Sequence, residues 1–199
     1  MERILAADLV RHIDRPVMVW GWMNSFRPLG RLNFLILRDR SGFIQIVVEN
    51  KEDAKKLAGL QPGSVVRVQG KAVRTEQAGL GIEIIEPRIE IETPVLEPPP
   101  VEYYKPEMNY ELEFILDHRS IALRNRKLQA VFKIQAELTH AYRTYMHDHI
   151  GAVEYFSPNL IGASSEGGAE FFNVDYFGYT ATLAQSSQLY KQIMVGVYE

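Results

Sequence analysis

The chain is expected to fold as α+β: a five-stranded β-barrel at the N-terminus, a proline-rich linker, then the start of a mixed α/β domain. Three observations carry this. Residues 1–92 hold five short apolar, β-branched-rich runs with one helical stretch between the third and fourth. Residues 93–106 hold five of the ten prolines. Residues 119–150 repeat apolar positions every three or four residues.

The five runs are VMVWGW (17–22), LNFLIL (32–37), FIQIVV (43–48), VVRVQ (65–69) and IEIIEPRIEI (82–91). KEDAKKLAGL at 51–60 has helical composition, and Gln61-Pro62-Gly63 stops it. Five strands with a helix between strands three and four is the layout of an OB-fold, a common oligonucleotide-binding barrel. The linker TPVLEPPPVEYYKP should be extended or hinge-like, since proline fixes φ and removes backbone donors. Leu128, Val131, Ile134, Leu138, Tyr142 and Tyr145 trace one stripe of a long helix over Arg119–Ile150, which Gly151 is placed to end. A strand at 152–156, a Gly/Ser-rich loop at 162–168, a hairpin at 170–184 and a helix opening near Ser187 follow. The domains are therefore expected at 1–92, 93–116 and 117–199.

Composition excludes several classes. At 46% apolar and 24% charged residues the chain is ordinary for a globular protein, not a disordered one. Without cysteine it has no disulfide, thiolate metal site or cysteine nucleophile. No secretory h-region and no apolar run of about eighteen residues occurs, so a cytoplasmic protein without a membrane span is expected. The net charge of −3 requires any nucleic-acid contact to use local basic patches. His147-Asp148-His149 is not expected to bind metal, because i and i+2 on a helix point to different faces. Gly79-Leu80-Gly81 reads as a hairpin turn, and no catalytic triad order or metal-ligand spacing occurs.

Two constellations carry chemistry. If Arg38 pairs with Phe43 across the Asp39-Arg40-Ser41-Gly42 turn, Leu35 faces Ile46 and Leu37 faces Ile44 on an apolar face. The other face then carries Phe34, Ile36, Arg38, Gln45 and Val47. An aromatic ring stacks on an unstacked base and an amide reads its edge. Arg27, Arg31, Arg38 and Arg40 form the densest arginine run, suited to phosphates. On pattern alone, the commoner arrangement has Phe34 under a loop and the arginines as a solvated rim. The second constellation is Glu166, Gln188 and Lys191, with Gly167 and Gly168 loosening the loop that bears the glutamate. An anion for an ammonium, an amide and a cation for a carboxylate would suit an amino acid. Each residue alone is usually structural.

The strings EYFSPNL (154–160), SSEGGAEFFNVDYFG (164–178) and TLAQSSQLYKQ (182–192) resemble the class II aminoacyl-tRNA synthetases of the aspartate/asparagine/lysine subgroup. GWMNSFRPLGRLNFLILRDRSGFIQIVVE at 21–49 is similar to the anticodon-binding domain of aspartyl-tRNA synthetases. The resemblance implies that Phe34 stacks on the central anticodon base, that Gln45 hydrogen-bonds it, and that Arg27 contacts the anticodon. Pro28 replaces a residue that is usually polar in the family. The resemblance further implies that Glu166 contacts the substrate ammonium, that Ser186 and Gln188 belong to the aspartate site, and that Lys191 pairs with the aspartate side chain. Gln185 lies in the lead-in to that site. Asparaginyl enzymes usually lack this lysine, and a desolvated ammonium facing an amide would be unpaired. Ser187 stands where proline is usual. Pro158 matches the motif 1 proline, so a homodimer through motif 1 and the preceding helix is implied.

The expected function is thus aspartate–tRNA ligation, with L-aspartate, tRNA(Asp) and, in a non-discriminating form, tRNA(Asn) as partners. An asparaginyl enzyme, or a non-catalytic tRNA-binding protein with a vestigial synthetase domain, are the alternatives. The family holds ATP and Mg2+ through F-R-x-E and G-x-G-x-x-R motifs. Neither string occurs here, so the chain reads as an N-terminal fragment, with no catalytic residue of its own assigned. Phosphate activation depends on such electrostatic positioning. The 199-residue chain alone should accordingly give no aspartate-dependent ATP–pyrophosphate exchange above background.

Overall fold

The computed structural model describes residues 2–30, 32–76, 78–162 and 170–198. They divide into two compact units, Met1–Phe132 and Lys133–Glu199.

The first unit is built on a closed barrel with strand order β1-β2-β3-β5-β4. Its strands are β1 (Pro16–Leu29), β2 (Leu32–Arg38), β3 (Phe43–Val48), β4 (Val65–Arg74) and β5 (Ile82–Thr93). A 3-10 helix, Ala6–His12, precedes them. Helix α1 (Lys51–Ala58) lies between β3 and β4, capped by Asn50, whose side chain accepts from the amides of Glu52 and Asp53. The OB-fold expected from sequence is therefore present. So is its register: Leu35 pairs with Ile46, Leu37 with Ile44 and Arg38 with Phe43. Alternation sends Leu35, Leu37, Ile44 and Ile46 inward, where they are fully buried with Val17, Val19, Val66, Val68 and Ile84, and Leu57 of α1 joins the same core.

Strand β1 is much longer than the expected 17–22. Its first half, Pro16–Trp22, pairs with β4, and its second half, Trp22–Leu29, pairs with β2. A register shift between Met23 and Ser25 bends the strand from one neighbour to the other. At this crossing a Cβ on Gly21 would lie 2.4 Å from the Arg38 carbonyl oxygen, so only glycine permits the approach. The turn between β2 and β3 is held by the buried Asp39. Its Oδ1 accepts from the amides of Ser41 and Gly42, and its Oδ2 accepts from the Ala6 amide at 2.7 Å.

The proline-rich segment is not a free tether. Val101 and Tyr103 are buried, and the segment is tied down by Asn125, itself 2% exposed. Its Nδ2 donates to the carbonyls of Tyr103 (2.9 Å) and Lys105 (2.8 Å), while its Oδ1 accepts from the Lys127 amide (2.9 Å). The same residue breaks the helix expected to run unbroken from Arg119 to Ile150. A short α2 (Leu112–Asp117) and one-turn α3 (Arg119–Ala122) come first, and α4 (Arg126–Ile150) starts afresh with Asn125 as its cap.

In the second unit α4 ends at Gly151 (φ +71°), as expected, with its amide donating to the His147 carbonyl. The stripe on α4 is exposed in this chain: Ile134, Leu138 and Tyr142 are each at least 60% accessible. No strand forms at 152–156, where the expectation fails. The extended run finds no partner strand among the described residues, and pairing begins only at β6 (Leu160–Ile161). The sheet order is β6-β8-β7, with β7 (Asn173–Tyr176) and β8 (Tyr179–Leu183) forming the expected hairpin. Phe177 and Gly178, both at positive φ, make its two-residue turn. Helix α5 (Gln188–Tyr198) follows, as expected near Ser187. Removing the Asn125 amide should loosen the first unit: Asn125→Ala strands two carbonyls and a helix cap, and a loss of about 2–4 kcal/mol is expected in urea unfolding.

Candidate functional site

On the outer side of the barrel three cross-strand rows run side by side. Arg27 of β1 pairs with Phe34 of β2, which pairs with Val47 of β3. The next row is Ser25, Ile36 and Gln45, and the row after it is Trp22, Arg38 and Phe43. Arg27 is exposed, Phe34 and Gln45 are half-buried, and Val47 is covered. The three sequence-derived candidates of this face thus lie on adjacent rows of one sheet surface, spaced as backbone pairing dictates.

Strand β5 adds a residue that sequence reading missed. It lies parallel to β3, Gln45 beside Glu83, and the Gln45 Nε2 donates to Glu83 Oε2 at 3.1 Å. This bond orients the amide, leaving its carbonyl oxygen and one N–H for a ligand. Glu83 sits in the alternating run IEIIE, which marks it as outward-facing. A parallel neighbour 38 residues away is not visible in that pattern.

Beside the rows runs a groove of about 1000 Å³ within the first unit. Its lining includes Arg27, Gln45 and Arg38 on the barrel, and Tyr103, Arg124 and Arg126 opposite. Phe34 borders Arg27 on the sheet without being among the described residues that line this groove. Arg38 donates through Nη1 to the Arg124 carbonyl at 3.1 Å, and its guanidinium lies 5.2 Å from the Trp22 ring centre. Burial lowers the Arg38 pKa from its ordinary value, and the neighbouring Arg124 charge acts in the same direction. Burial likewise raises the Tyr103 phenol, against the opposing pull of Arg124 and Arg38.

The second constellation is only partly visible. Glu166 and the glycines Gly167 and Gly168 lie outside the described residues. Gln188 and Lys191 stand three residues apart at the start of α5, both exposed. Ser186 accepts the Gln188 amide through its Oγ at 3.0 Å, and the Ser187 carbonyl accepts the Lys191 amide at 2.9 Å. Serine at 187 is thus compatible with the helix start. Gln185 donates through its side chain to the Glu170 carbonyl, tying α5's entry to the strand-side segment. An amide and an ammonium share one helical face here, open to solvent. His147 Nδ1 lies 2.7 Å from Asp148 Oδ1, and the described residues contain no group of three or more metal-type ligands. No described helix is long and apolar enough to cross a membrane.

The first unit is thus an OB-fold barrel with aromatic, amide and cationic side chains on one outer face, and the second a helix, hairpin and helix. Residues 17–92 match the OB-fold nucleic acid binding domain, and residues 111–198 match tRNA synthetases class II (D, K and N). Residues 111–198 are thus identified with a class II synthetase domain of this D, K and N group. It is 42% identical to the aspartate–tRNA(Asp/Asn) ligase of Thermus thermophilus over 99% of its own length and 45% of the relative's. To the enzyme of that name from Deinococcus radiodurans it is 38% identical, over all of its own length and 44% of the relative's. Among solved structures it is similar to the asparaginyl-tRNA synthetase of Pyrococcus horikoshii complexed with asparaginyl-adenylate. There the TM-score is 0.87 at 30% identity, covering 98% of this chain and 45% of that one. The chain therefore spans a little under half the length of these relatives.

The Tyr103 phenol gives a pH signature. Its neutral form is favoured by burial, so its stabilising contribution is complete below about pH 10 and is lost as pH rises through the elevated folded value. Tyr103→Phe should remove this part of the alkaline fall, so the stability difference between variant and wild type should shift in the variant's favour between pH 8 and pH 11. Urea titrations at the two pH values measure it.

Proposed function

We propose that this chain is the N-terminal part of an aspartate–tRNA ligase: its barrel binds the anticodon and its second unit supplies part of an aspartate pocket. The observation that carries the reading is the set of adjacent rows holding Arg27, Phe34 and Gln45, in a chain 42% identical to an aspartate–tRNA(Asp/Asn) ligase. Phe34 would stack on the central anticodon base. Gln45, held by Glu83, would hydrogen-bond the base edge, and Arg27 would contact the anticodon alongside. Residues 1–92, 93–116 and 117–199 are the corresponding anticodon domain, linker and first part of the catalytic domain. Glu166 would hold the ammonium of L-aspartate, Ser186 and Gln188 would line its site, and Lys191 would pair with its side-chain carboxylate.

In the whole enzyme ATP provides the activating group to which the aspartate carboxylate is joined before transfer to the tRNA 3′ end. ATP and Mg2+ belong to that enzyme, and the family's motif residues for them do not occur among these 199. The exposed stripe of α4, with the segment around Pro158, is the proposed dimer face, and the cytoplasm the proposed compartment. The names of the relatives favour a second form of the same reading, aspartylation of both tRNA(Asp) and tRNA(Asn). The loop between β4 and β5, around residues 74–81, would then tolerate either third anticodon base.

A hairpin RNA carrying the tRNA(Asp) anticodon tests the barrel. Changing its central base, or introducing Phe34→Ala or Gln45→Ala, should weaken binding about tenfold or more, as loss of one stacked base predicts. Equal affinity for both hairpins, measured by fluorescence anisotropy, would overturn the assignment.

A further inference from the structure

The groove next to the anticodon face has a second wall that the proposed base contacts leave unused. Arg124, Arg126 and Lys127 line it across from Arg27, Arg38 and Gln45. Among the described ion pairs, two of the paired barrel cations, Arg67 and Lys71, are not among the groove's lining residues. The one paired linker cation, Lys105, lines it but is already engaged by its own neighbour. Arg67 pairs with Glu90 and Glu92, Lys71 with Asp14, and Lys105 with Glu102. None of the described pairs engages Arg27, Arg38, Arg124, Arg126 or Lys127. Of the six cations that line this groove, five thus have no carboxylate partner among the described ion pairs, in a chain whose net charge is −3.

These cations are placed, not merely present. Arg38 is held half-buried on the Arg124 carbonyl despite the adjacent like charge. Arg126 lies 5.1 Å from the centre of the Phe43 ring, an arrangement that fixes the guanidinium while leaving its edge N–H groups to donate. Lys127 follows at once, its amide anchored on Asn125 Oδ1. Holding like charges together in one cleft is costly unless an anion neutralises them.

We infer that Arg124, Arg126 and Lys127 form a phosphate-binding wall for the sugar–phosphate backbone of the RNA whose bases lie on the barrel face. The inference rests on the anticodon reading above and extends its footprint off the barrel to the start of α4. Base contacts on the sheet select sequence, and this wall supplies sequence-independent, salt-dependent attraction.

The test uses the 199-residue chain and the same anticodon hairpin, with Kd measured from 50 to 300 mM salt. Arg124 is left intact because its carbonyl supports Arg38, and circular dichroism checks the fold of each variant. The double variant Arg126→Gln/Lys127→Gln should weaken binding roughly tenfold or more at 0.1 M salt and flatten the log K against log salt slope by about 1.4. It should do so equally for hairpins with the correct and the altered central base. An unchanged slope in a folded double variant, while Phe34→Ala still weakens binding, would overturn the phosphate wall and leave the anticodon reading standing. A flattened slope with no effect of Phe34→Ala or Gln45→Ala would support the wall and remove the base contacts. Failure of the wild-type chain to bind the hairpin would remove both.

Discussion

The first unit depends on a single buried amide. Asn125 satisfies two carbonyls of the proline-rich segment and a free first-turn amide of a 25-residue helix. A carboxylate in its place could accept but not donate, and a hydroxyl could not span three partners. With Arg38 bonded to the adjacent Arg124 carbonyl, two consecutive residues join barrel strand, linker and helix start. The groove exists because those three pieces are held in register. Its far wall would otherwise be a loose chain whose cations had no fixed place.

The barrel solves a different problem, that of presenting flat, readable chemistry on a closed surface. Period-two alternation commits Leu35, Leu37, Ile44 and Ile46 to the interior and leaves their neighbours outside. The bulge after Met23 lets one strand serve two neighbours, so that Arg27 reaches the row of Phe34. Asp39 then locks the hairpin that fixes Phe34 and Gln45 at their separation, using backbone amides from both the turn and the 3-10 helix. Rigidity behind this face comes from buried hydrogen bonds, which are strong in a low-dielectric interior and costly to break.

What could be read in the sequence followed from local rules. The β2–β3 register was legible because the turn is short and fixes Arg38 opposite Phe43. The helix end at Gly151 and the hairpin at Phe177-Gly178 carry their own residue signals. Long-range pairings were not legible. The parallel contact of β3 with β5, and with it Glu83's hold on Gln45, has no local trace. The helix break at 123–125 was hidden because Leu-Arg-Asn continues the apolar spacing, while Asn125's role depends on carbonyls some twenty residues earlier. The strand expected at 152–156 failed for the converse reason: composition supplies propensity, but a strand needs an edge to pair with. The amino-acid site stayed partial, since its residues are known here by type and helical spacing, with Glu166 outside the described residues.

The division of β1 between two partners has a consequence for how the domain comes to be. Its C-terminal half finds β2 within a few residues, so that hairpin forms early and locally. Its N-terminal half must wait for β4, with Val19 meeting Val68 about fifty residues later. Closure is therefore a non-local event of the kind that sets the slow, millisecond-to-second folding of β-barrels. On the ribosome, Val17 and Val19 stay uncovered until β4 has emerged, and this interval is when the nascent chain is most open to mispairing or chaperone capture.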